Sequence, residues 1–312
     1  MYMKRVGKTL KRFWPLYLMF LPGAIYLFIN CYIPMFGIQI AFRTYNARDG
    51  IYGSPWCGME NFEYLFRTDD AWIMTRNTLL YNFVFIVLGT VLAIAVAIIL
   101  NEVKSKGAKQ LYQTIILIPY LISMVIVGYL AFAFLSTNNG FINHGILEPL
   151  FGENAAIDWY NEPKYWPVIL VIINIWKGLG YNMILYYATI CGIDHSLYEA
   201  AVVDGANRWQ QIWNITLPSL KSTIIILTLM ALGGIFRSDF GLFYQVPQNS
   251  GPLINVTQTI DTYVYRGLMT TSNIGMSSAA GVYQSIVGFI LVVSANLVVR
   301  KLDSDSALVS FW

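Results

Sequence analysis

Polar residues interrupt an apolar segment, 166–190, near the middle of the chain. A helix turns about 100° per residue, so several of them share one face. That face holds Asn174, Lys177, Gly178 and Tyr181, with Asn182 at its margin. A charge inside a membrane normally faces a cavity or a partner. The face is therefore a candidate lining for a translocation path, where amine, amide and phenol groups would hydrogen-bond a solute's hydroxyls. In the alternative reading, Lys177 pairs with a carbonyl at a helix break beside Gly178 and Gly180.

A second polar group lies toward the end of the apolar segment 221–243. Arg237 and Asp239 are two residues apart, so they cannot share a helix face and we expect each to have a different partner. Aromatic residues follow them, including Tyr244. One reading makes this group a gate or solute contact at the outer mouth of a path. The other makes the aromatic residues anchors at the membrane boundary, where Tyr and Trp collect.

The residue sets of metal and disulfide chemistry are missing from this sequence. Two histidines cannot supply a recurring set of metal ligands, and three cysteines form no disulfide framework. No paired carboxylates and no nucleophile–base set appear either, which disfavours a membrane-embedded enzyme. A net charge of +3 is too small to indicate nucleic-acid binding.

The composition indicates an integral membrane protein built only of helices. Of 312 residues, 56% are hydrophobic and 12% are charged, against about 25% charged in soluble domains. A membrane-crossing helix needs about 20 largely apolar residues. Six segments meet that requirement: 15–40, 78–100, 111–135, 166–190, 221–243 and 278–299. Proline occurs in several of them, and a break in the first is expected near Pro34.

The distribution of Lys and Arg predicts the orientation, because cytoplasmic flanks carry an excess of both. Five precede Phe13 without any acidic residue, three lie in 101–110, and Arg300 and Lys301 follow the last span. Segment 136–165 instead carries one lysine and four acidic residues. Both termini and the segment 191–220 are therefore predicted to be cytoplasmic. The loops 41–76, 136–165 and 244–277 are predicted to face outward.

The segment 194–218 predicts a compact helical hairpin. Ser196 and Glu199 have the spacing of a capping box that opens a helix at about Leu197. Gly205 suits a left-handed C-cap, and Asn207 can cap a second helix. That helix carries an amphipathic stripe and is predicted to end at Pro218. The stripe consists of Trp209, Ile212, Trp213 and Thr216.

The order of residues in this hairpin is specific. "EAAVVDG" followed by "ITLP" resembles the EAA loop of permease subunits in bacterial binding-protein-dependent ABC importers. The resemblance implies a coupling helix that docks in a groove of a cytoplasmic ATPase. The matching positions are Glu199, Ala200, Ala201, Gly205, Ile215, Leu217 and Pro218, and Trp209 of the stripe is a further candidate for this contact.

Longer stretches extend the resemblance along the chain. "KRFWPLYLMFLPGAIYLFINCYIPMFGIQIAF", "GSPWCGMENFEYLF" and "FRSDFGLFYQVP" look like the LplB-like branch of carbohydrate-importer permeases. The resemblance implies a type I ABC importer transmembrane fold and an oligosaccharide substrate. It also implies a second homologous permease, an ATPase dimer that binds ATP and Mg, and an extracellular solute-binding lipoprotein. The segment 41–76 would receive that lipoprotein, although a structural lid fits its composition equally well.

The chain is not expected to bind a nucleotide or cofactor itself. Gly7, Lys8 and Thr9 match the last three residues of a phosphate-binding loop. The motif also requires a glycine five residues before Gly7, and that position is Tyr2. The predicted organisation is a basic terminus (1–13), a permease domain in membrane lipid (14–300) with its hairpin (194–218), and a tail (301–312). A polyol or glycerophosphodiester remains an alternative solute. An ion-coupled secondary transporter is the alternative class, which would show an inverted repeat and interior acidic residues.

Overall fold

The computed structural model describes the backbone of residues 2–152 and 155–302 and the side chains of 13–152 and 155–297. This part of the chain is helical and contains no strand, apart from an isolated bridge between Arg43 and Trp56. The basic side chains before Phe13, those of Arg300 and Lys301, and the tail from residue 303 lie outside the described residues.

Fifteen α-helices occur among the described residues. In chain order they are α1 (Tyr2–Leu27), α2 (Gly50–Gly53), α3 (Glu60–Arg67), α4 (Asp70–Glu102), α5 (Lys106–Leu121), α6 (Met124–Leu135), α7 (Glu148–Phe151), α8 (Trp166–Cys191), α9 (His195–Val203), α10 (Arg208–Gln211), α11 (Leu217–Gly233), α12 (Phe240–Gln245), α13 (Ile254–Thr257), α14 (Ile260–Met269) and α15 (Ile274–Leu302). The chain forms two compact units. One comprises Met1–Arg67 with Gly267–Val282, and the other comprises Thr68–Arg266 with Tyr283–Trp312.

Helical winding changes ahead of three prolines. The π turns Phe28–Tyr32, Asn143–Leu147 and Ile212–Thr216 each end two residues before a proline, namely Pro34, Pro149 and Pro218. Proline removes one hydrogen bond and its ring crowds the carbonyl four residues earlier, and a π turn is one way to absorb that strain. The break expected near Pro34 accordingly takes the form of a switch from π winding to the 3₁₀ helix Ile33–Phe42.

The first unit is small and its core is sparse. Ala41 and Phe62 are buried with Ala279, and Phe42 and Val282 pack against them. Phe42 also stacks on Trp56, with ring centroids 5.5 Å apart. From Phe13 onward, α1 and the turns after it expose most of their large apolar side chains. That pattern is expected of a segment that faces lipid.

The second unit is built around α4 and α8. Small residues of α4, Ala93 and Ala97, are buried against Met183 and Tyr186 of α8 and Leu220 of α11. A second buried cluster contains Trp166, Leu170 and Phe243. These two clusters fix α8 in the middle of the unit. The residues of the predicted polar face, 174–182, therefore lie on its central helix.

By length and composition, five helical segments among the described residues could cross a membrane. They are Phe13–Phe42, Asp70–Glu102, Pro163–Cys191, Arg208–Gly233 and Ile274–Leu297. The pair α5 and α6 makes a sixth if counted as one span.

Two predicted spans differ from the structure in an informative way. The segment 111–135 is not one straight helix, because α5 ends at Leu121 and α6 leaves it at 95°. Pro119 lies in the last turn of α5, and Ser123 caps α6 by accepting a hydrogen bond from the Ile126 amide. The predicted end of the span 221–243 is wrong, because α11 stops at the glycine pair Gly233 and Gly234.

Candidate functional sites: the 194–218 hairpin and two broken helices

The first helix of the hairpin begins earlier than predicted. Asp194 caps α9, and its carboxylate accepts a hydrogen bond from the Ser196 amide at 2.9 Å. This bond lowers the pKa of Asp194. The predicted capping box of Ser196 and Glu199 is therefore wrong, because Asp194 already occupies the capping position. His195 is the first residue of α9.

A Schellman motif closes α9, and Gly205 makes it possible. The Ala206 amide donates to the Ala201 carbonyl at 2.8 Å, and the Gly205 amide donates to the Val202 carbonyl at 3.1 Å. Gly205 has a φ of 80°, in the left-handed region that glycine adopts without strain. The predicted left-handed C-cap thus occurs where the sequence indicated it.

The second helix of the hairpin runs directly into a long apolar helix. Asn207 and Gln210 form a reciprocal capping box at the start of α10, as predicted. Winding then continues through the π turn Ile212–Thr216 into α11, so Arg208–Gly233 is one helical segment. The prediction that Pro218 ends this helix is wrong. Pro218 instead lies inside this continuous segment, two residues after the π turn Ile212–Thr216, whose winding accommodates the proline ring and its missing amide.

Side chains join the two helices of the hairpin. The Tyr198 and Thr216 hydroxyls are 2.9 Å apart, and the amide of buried Gln211 donates to the Ala206 carbonyl at 3.1 Å. These contacts connect α9 with the start of α11. The hairpin and the apolar helix that follows it are therefore tied at the turn and at the base.

The residues of the predicted coupling surface divide between two faces. Glu199 and Ala200 are exposed beside Leu197, Val202 and Val203, and Val203 is 87% exposed. Within the described part of the chain, the Glu199 side chain forms no ion pair or hydrogen bond. Clustered apolar exposure of this kind is typical of protein interaction sites. Ala201 and Ile215 are half-buried.

Trp209 lies in a different environment. With Trp213 and half-buried Leu217 it borders an apolar cleft of about 550 Å³, whose other wall is the carboxyl-terminal half of α4. An ion pair between Arg208 and Glu102, 3.6 Å long, lies at the same cleft. The tryptophan stripe and Glu199 therefore do not form one surface.

Lys177 caps the break between α5 and α6. Its Nζ donates hydrogen bonds to the carbonyls of Pro119 at 3.4 Å, of Tyr120 at 3.0 Å, and of Ile122. A helix end leaves carbonyls unsatisfied, and in an apolar environment they need a donor. The alternative of pairing with carbonyls at a break is the arrangement that the structure has. The break, however, lies at residues 122 and 123, not beside Gly178 and Gly180.

A close helix contact holds Lys177 against that break. A Cβ added to Gly180 would lie 2.3 Å from the Ile116 carbonyl oxygen, so α5 and α8 can approach this closely only at glycine. One residue along α8, Tyr181 stacks on Tyr120, with centroids 4.9 Å apart. Asn174 is half-buried and Asn182 is exposed. The predicted polar face is therefore partly occupied by structural contacts.

The second break, at residues 234–239, is held by three helices. Asn82 of α4 donates to the Ile235 and Arg237 carbonyls at 2.8 and 2.7 Å. Gln284 of α15 donates to the Phe236 carbonyl, and Asp261 of α14 accepts from the Ser238 amide at 2.7 Å. Irregular backbone at membrane depth is tolerated where protein groups satisfy it in this way.

The predicted pair Arg237 and Asp239 falls in this break. As expected, the two side chains have different roles. Arg237 is exposed, whereas the carboxylate of Asp239 caps α12 by accepting from the Leu242 amide at 3.1 Å. Neither lies on a spanning helix, because α11 has already ended.

A polar cleft of about 460 Å³ lies between α6 and the end of α12 with the segment that follows it. It is lined by Val125, Gly128, Tyr129, Tyr244, Gln245, Gln248 and Asn249. Gln248 and Asn249 have φ values of 52° and 51°, a conformation that side chains other than glycine rarely adopt. Such strain is often found at functional sites.

Sequence reasoning identified only Tyr244 among these residues. The others come from two segments more than a hundred residues apart, and no local spacing connects them. Two glycines allow the contact. A Cβ on Gly128 would lie 2.7 Å from the Gln245 carbonyl oxygen, and one on Gly241 would lie 2.6 Å from the Met124 Cβ. Tyr244 stacks on Phe240 and meets Tyr265 edge to face.

Comparisons with known proteins identify the family. The family described as binding-protein-dependent transport system inner membrane component matches residues 86–304. The chain belongs to this family. The family resemblance, the all-helical membrane fold and the assignment as a transport subunit and not an enzyme are therefore confirmed.

The permease resembles several relatives over nearly its whole length. It is 34% identical to the protein LplB of Bacillus subtilis (strain 168), with 95% of the chain and 92% of that protein aligned. It is 37% identical to the polygalacturonan/rhamnogalacturonan transport system permease protein YteP of the same organism, over 93% and 89% of the two chains. A crystal structure of a bacterial alginate ABC transporter in complex with an alginate pentasaccharide-bound periplasmic protein contains a chain 34% identical to it, with a TM-score of 0.85 over 96% and 98% of the two chains.

Proposed function

We propose that the permease forms half of the translocation path of an ATP-driven importer for oligosaccharide. The observation that supports this proposal most strongly is the structure of the hairpin. Its second helix continues through a π turn into an apolar helix, and the whole segment is long enough to cross a membrane. The polysaccharide systems of its relatives YteP and the alginate transporter support the substrate class. A second homologous permease would supply the other half of the path.

The hairpin is the proposed contact with the ATPase dimer, which would bind ATP and Mg. Charge asymmetry in the sequence supports a location of both termini and the hairpin on the cytoplasmic side of the bacterial cell membrane. Exposed Glu199 and Ala200, with the apolar side chains of Val202 and Val203, would enter a groove of the ATPase. Trp209 and Trp213 would serve mainly as membrane-boundary anchors beside α4.

Alternating access is the proposed mechanism. Closure of the ATPase dimer on ATP would carry α9 with it, and the Schellman turn and the Tyr198–Thr216 contact would pass the motion to α11. The break at 234–239 then allows α12 to move differently from α11, because a break uncouples the two helix axes. The cleft beside α12 would open and close as a result.

The cleft of about 460 Å³ is the proposed contact site for the oligosaccharide. Tyrosine rings can pack against sugar rings, and Gln245 and Gln248 can hydrogen-bond hydroxyls. Asn174, Tyr181 and Asn182 remain candidates for the path, and Lys177 would act by holding the break in shape. A polar cleft in the first unit, lined by Tyr45, Glu63, Tyr64 and Arg67 among others, is the proposed docking region for the binding lipoprotein.

Reconstitution tests this function. The permease, its partner permease and the ATPase subunits are placed in proteoliposomes with the solute-binding protein outside, and uptake of labelled oligosaccharide is measured with and without enclosed ATP. We expect uptake that requires both ATP and the binding protein. Uptake by the lone permease without ATP would instead indicate a secondary transporter. ATP-dependent uptake of a polyol or phosphodiester, but of no oligosaccharide, would refute the substrate class.

A further inference from the structure

A half-buried arginine lies one hydrogen bond away from the polar cleft. Arg266 of α14 donates from Nε to the amide oxygen of Asn249, a cleft residue, at 2.7 Å. Its Nη1 donates to the amide oxygen of Gln258 at 3.4 Å. Its Nη2 is buried and has no hydrogen-bond partner among the described residues. Leaving a buried charged donor without an acceptor is costly, so this atom needs an explanation.

The charge of Arg266 is not neutralised by a neighbouring carboxylate. Both of its hydrogen-bond partners are neutral amides, and none of the ion pairs in the described part of the chain includes it. The nearest acid in this network is Asp70, which accepts from Gln258 at 2.9 Å. Burial lowers the pKa of Arg266, although arginine stays charged at any physiological pH.

The free atom lies on the side of the guanidinium that suits a carboxylate. Nε and Nη2 point their N–H groups along the same edge of the planar group, and a carboxylate accepts from such an edge through two parallel bonds. At present the Asn249 oxygen accepts from Nε, and Nη2 has no acceptor among the described residues. Asn249 is exposed, so water can solvate its amide after a carboxylate displaces it.

We propose that Arg266 binds a carboxylate of the transported solute, which makes that solute an acidic oligosaccharide containing uronic acid. The carboxylate replaces the Asn249 oxygen on Nε and satisfies Nη2. Tyr129 and Tyr244 contact the sugar rings, and Gln245 and Gln248 contact hydroxyls. This inference rests on the proposed transport function and assigns the chemical class of solute that the cleft selects.

The test measures binding to the complete transporter in nanodiscs without the binding protein, whose own specificity would mask that of the cleft. The probes are trigalacturonate and trimannuronate, each compared with its methyl ester, which keeps the sugar rings and removes the charge. We expect each acid to bind about tenfold to a hundredfold more tightly than its ester, the range of a charge-assisted bond. Arg266→Gln and Arg266→Lys should both remove most of that ratio, because lysine lacks the fork.

Two further variants keep the test specific. Lys164→Gln removes an exposed cation that pairs with Glu162, and it should leave the ratio unchanged. Asn249→Ala should keep or raise the affinity for the acid, because it removes the amide that the carboxylate displaces. Equal binding of the acids and their esters would overturn the inference, and so would an unchanged ratio of acid to ester affinity in Arg266→Gln. In either case, ATP-dependent uptake of a neutral oligosaccharide would still support the transport function. Absence of any oligosaccharide uptake would refute the function itself.

Discussion

Replacing Lys177 with methionine should destabilise the break between α5 and α6 without altering the solute site. The methionine side chain keeps similar bulk but donates no hydrogen bond. Three carbonyls lose the Nζ donor. The Pro119 oxygen keeps a second bond, from the Ile122 amide at 3.3 Å, so the loss falls mainly on Tyr120 and Ile122.

The magnitude follows from those two carbonyls. An unsatisfied buried acceptor costs about 1–3 kcal/mol, but polar contacts in membrane proteins average less, about 0.6 kcal/mol. Lys177 is only half-buried, so water can replace part of the bond. We therefore expect a loss of about 1–2 kcal/mol in unfolding free energy. Lys177→Arg should recover part of it, because a guanidinium also donates to several carbonyls.

Two measurements on the purified complex check this prediction. Thermal unfolding gives the loss of stability, and Lys221→Met is the matched control, since Lys221 is an exposed lysine of α11. Spin labels at Tyr112 and Leu130, both exposed, report the distance between α5 and α6. The distance distribution should broaden in Lys177→Met. A narrow distribution, unchanged stability and a raised KM for the solute would refute the reasoning and return Lys177 to the translocation path.

Substitutions at Gly180, Asn82, Gly205 and Glu148 test further contacts of the fold. Gly180→Ala should lower the free energy of unfolding by about 1–3 kcal/mol, because the added Cβ meets the Ile116 backbone. Gly178→Ala should lower it far less, because the added Cβ has only the Asn182 amide near it, at 3.8 Å, and thermal unfolding compares the two variants. Asn82→Leu should leave the Ile235 and Arg237 carbonyls without their donor, and faster hydrogen exchange at 234–239 with unchanged exchange in the hairpin would reveal it. Gly205→Ala should destabilise α9 by about 1 kcal/mol through backbone strain at its positive φ, because no atom lies within 4 Å of the added Cβ. Hydrogen exchange in α9 measures this loss of stability, and an equal loss in the control variant Gly251→Ala would contradict the prediction. The hydrogen bond to Glu148 raises the pKa of His144 in the folded protein. The bond therefore stabilises the fold fully below the pKa of the unfolded state, and this stabilisation is lost as pH rises through the folded pKa. An NMR titration should show the pKa of His144 return toward its ordinary value in Glu148→Gln.

The hairpin shows how far local sequence signals reach. Gly205 and the Asn207–Gln210 box act within a few residues, so their types alone indicate the turn and the second helix. The cap at Asp194 was missed because Ser196 and Glu199 offer a competing pattern two residues later. The predicted helix end at Pro218 is wrong because proline disrupts a regular α-helix, whereas here a π turn precedes it and changes the winding.

The two helix breaks were beyond such signals for a different reason. Pro119 and the pair Gly233 and Gly234 are compatible with a continuous membrane helix, so composition alone favours one span in each place. The breaks persist because distant side chains satisfy their carbonyls, Lys177 in one case and Asn82 in the other. Long-range contacts of this kind leave no spacing in the sequence. The same holds for Arg266 and the cleft residue Asn249, which come from separate segments.

The most direct test of the coupling role is a paired measurement on Glu199→Lys and Gly205→Pro. Glu199 is exposed and has no partner in the described part of the chain, so its reversal of charge should leave the permease folded. We expect both variants to lose co-purification of the ATPase subunits and ATP-dependent oligosaccharide uptake together, while the two permeases stay associated. Normal co-purification and normal uptake in both variants would contradict the account.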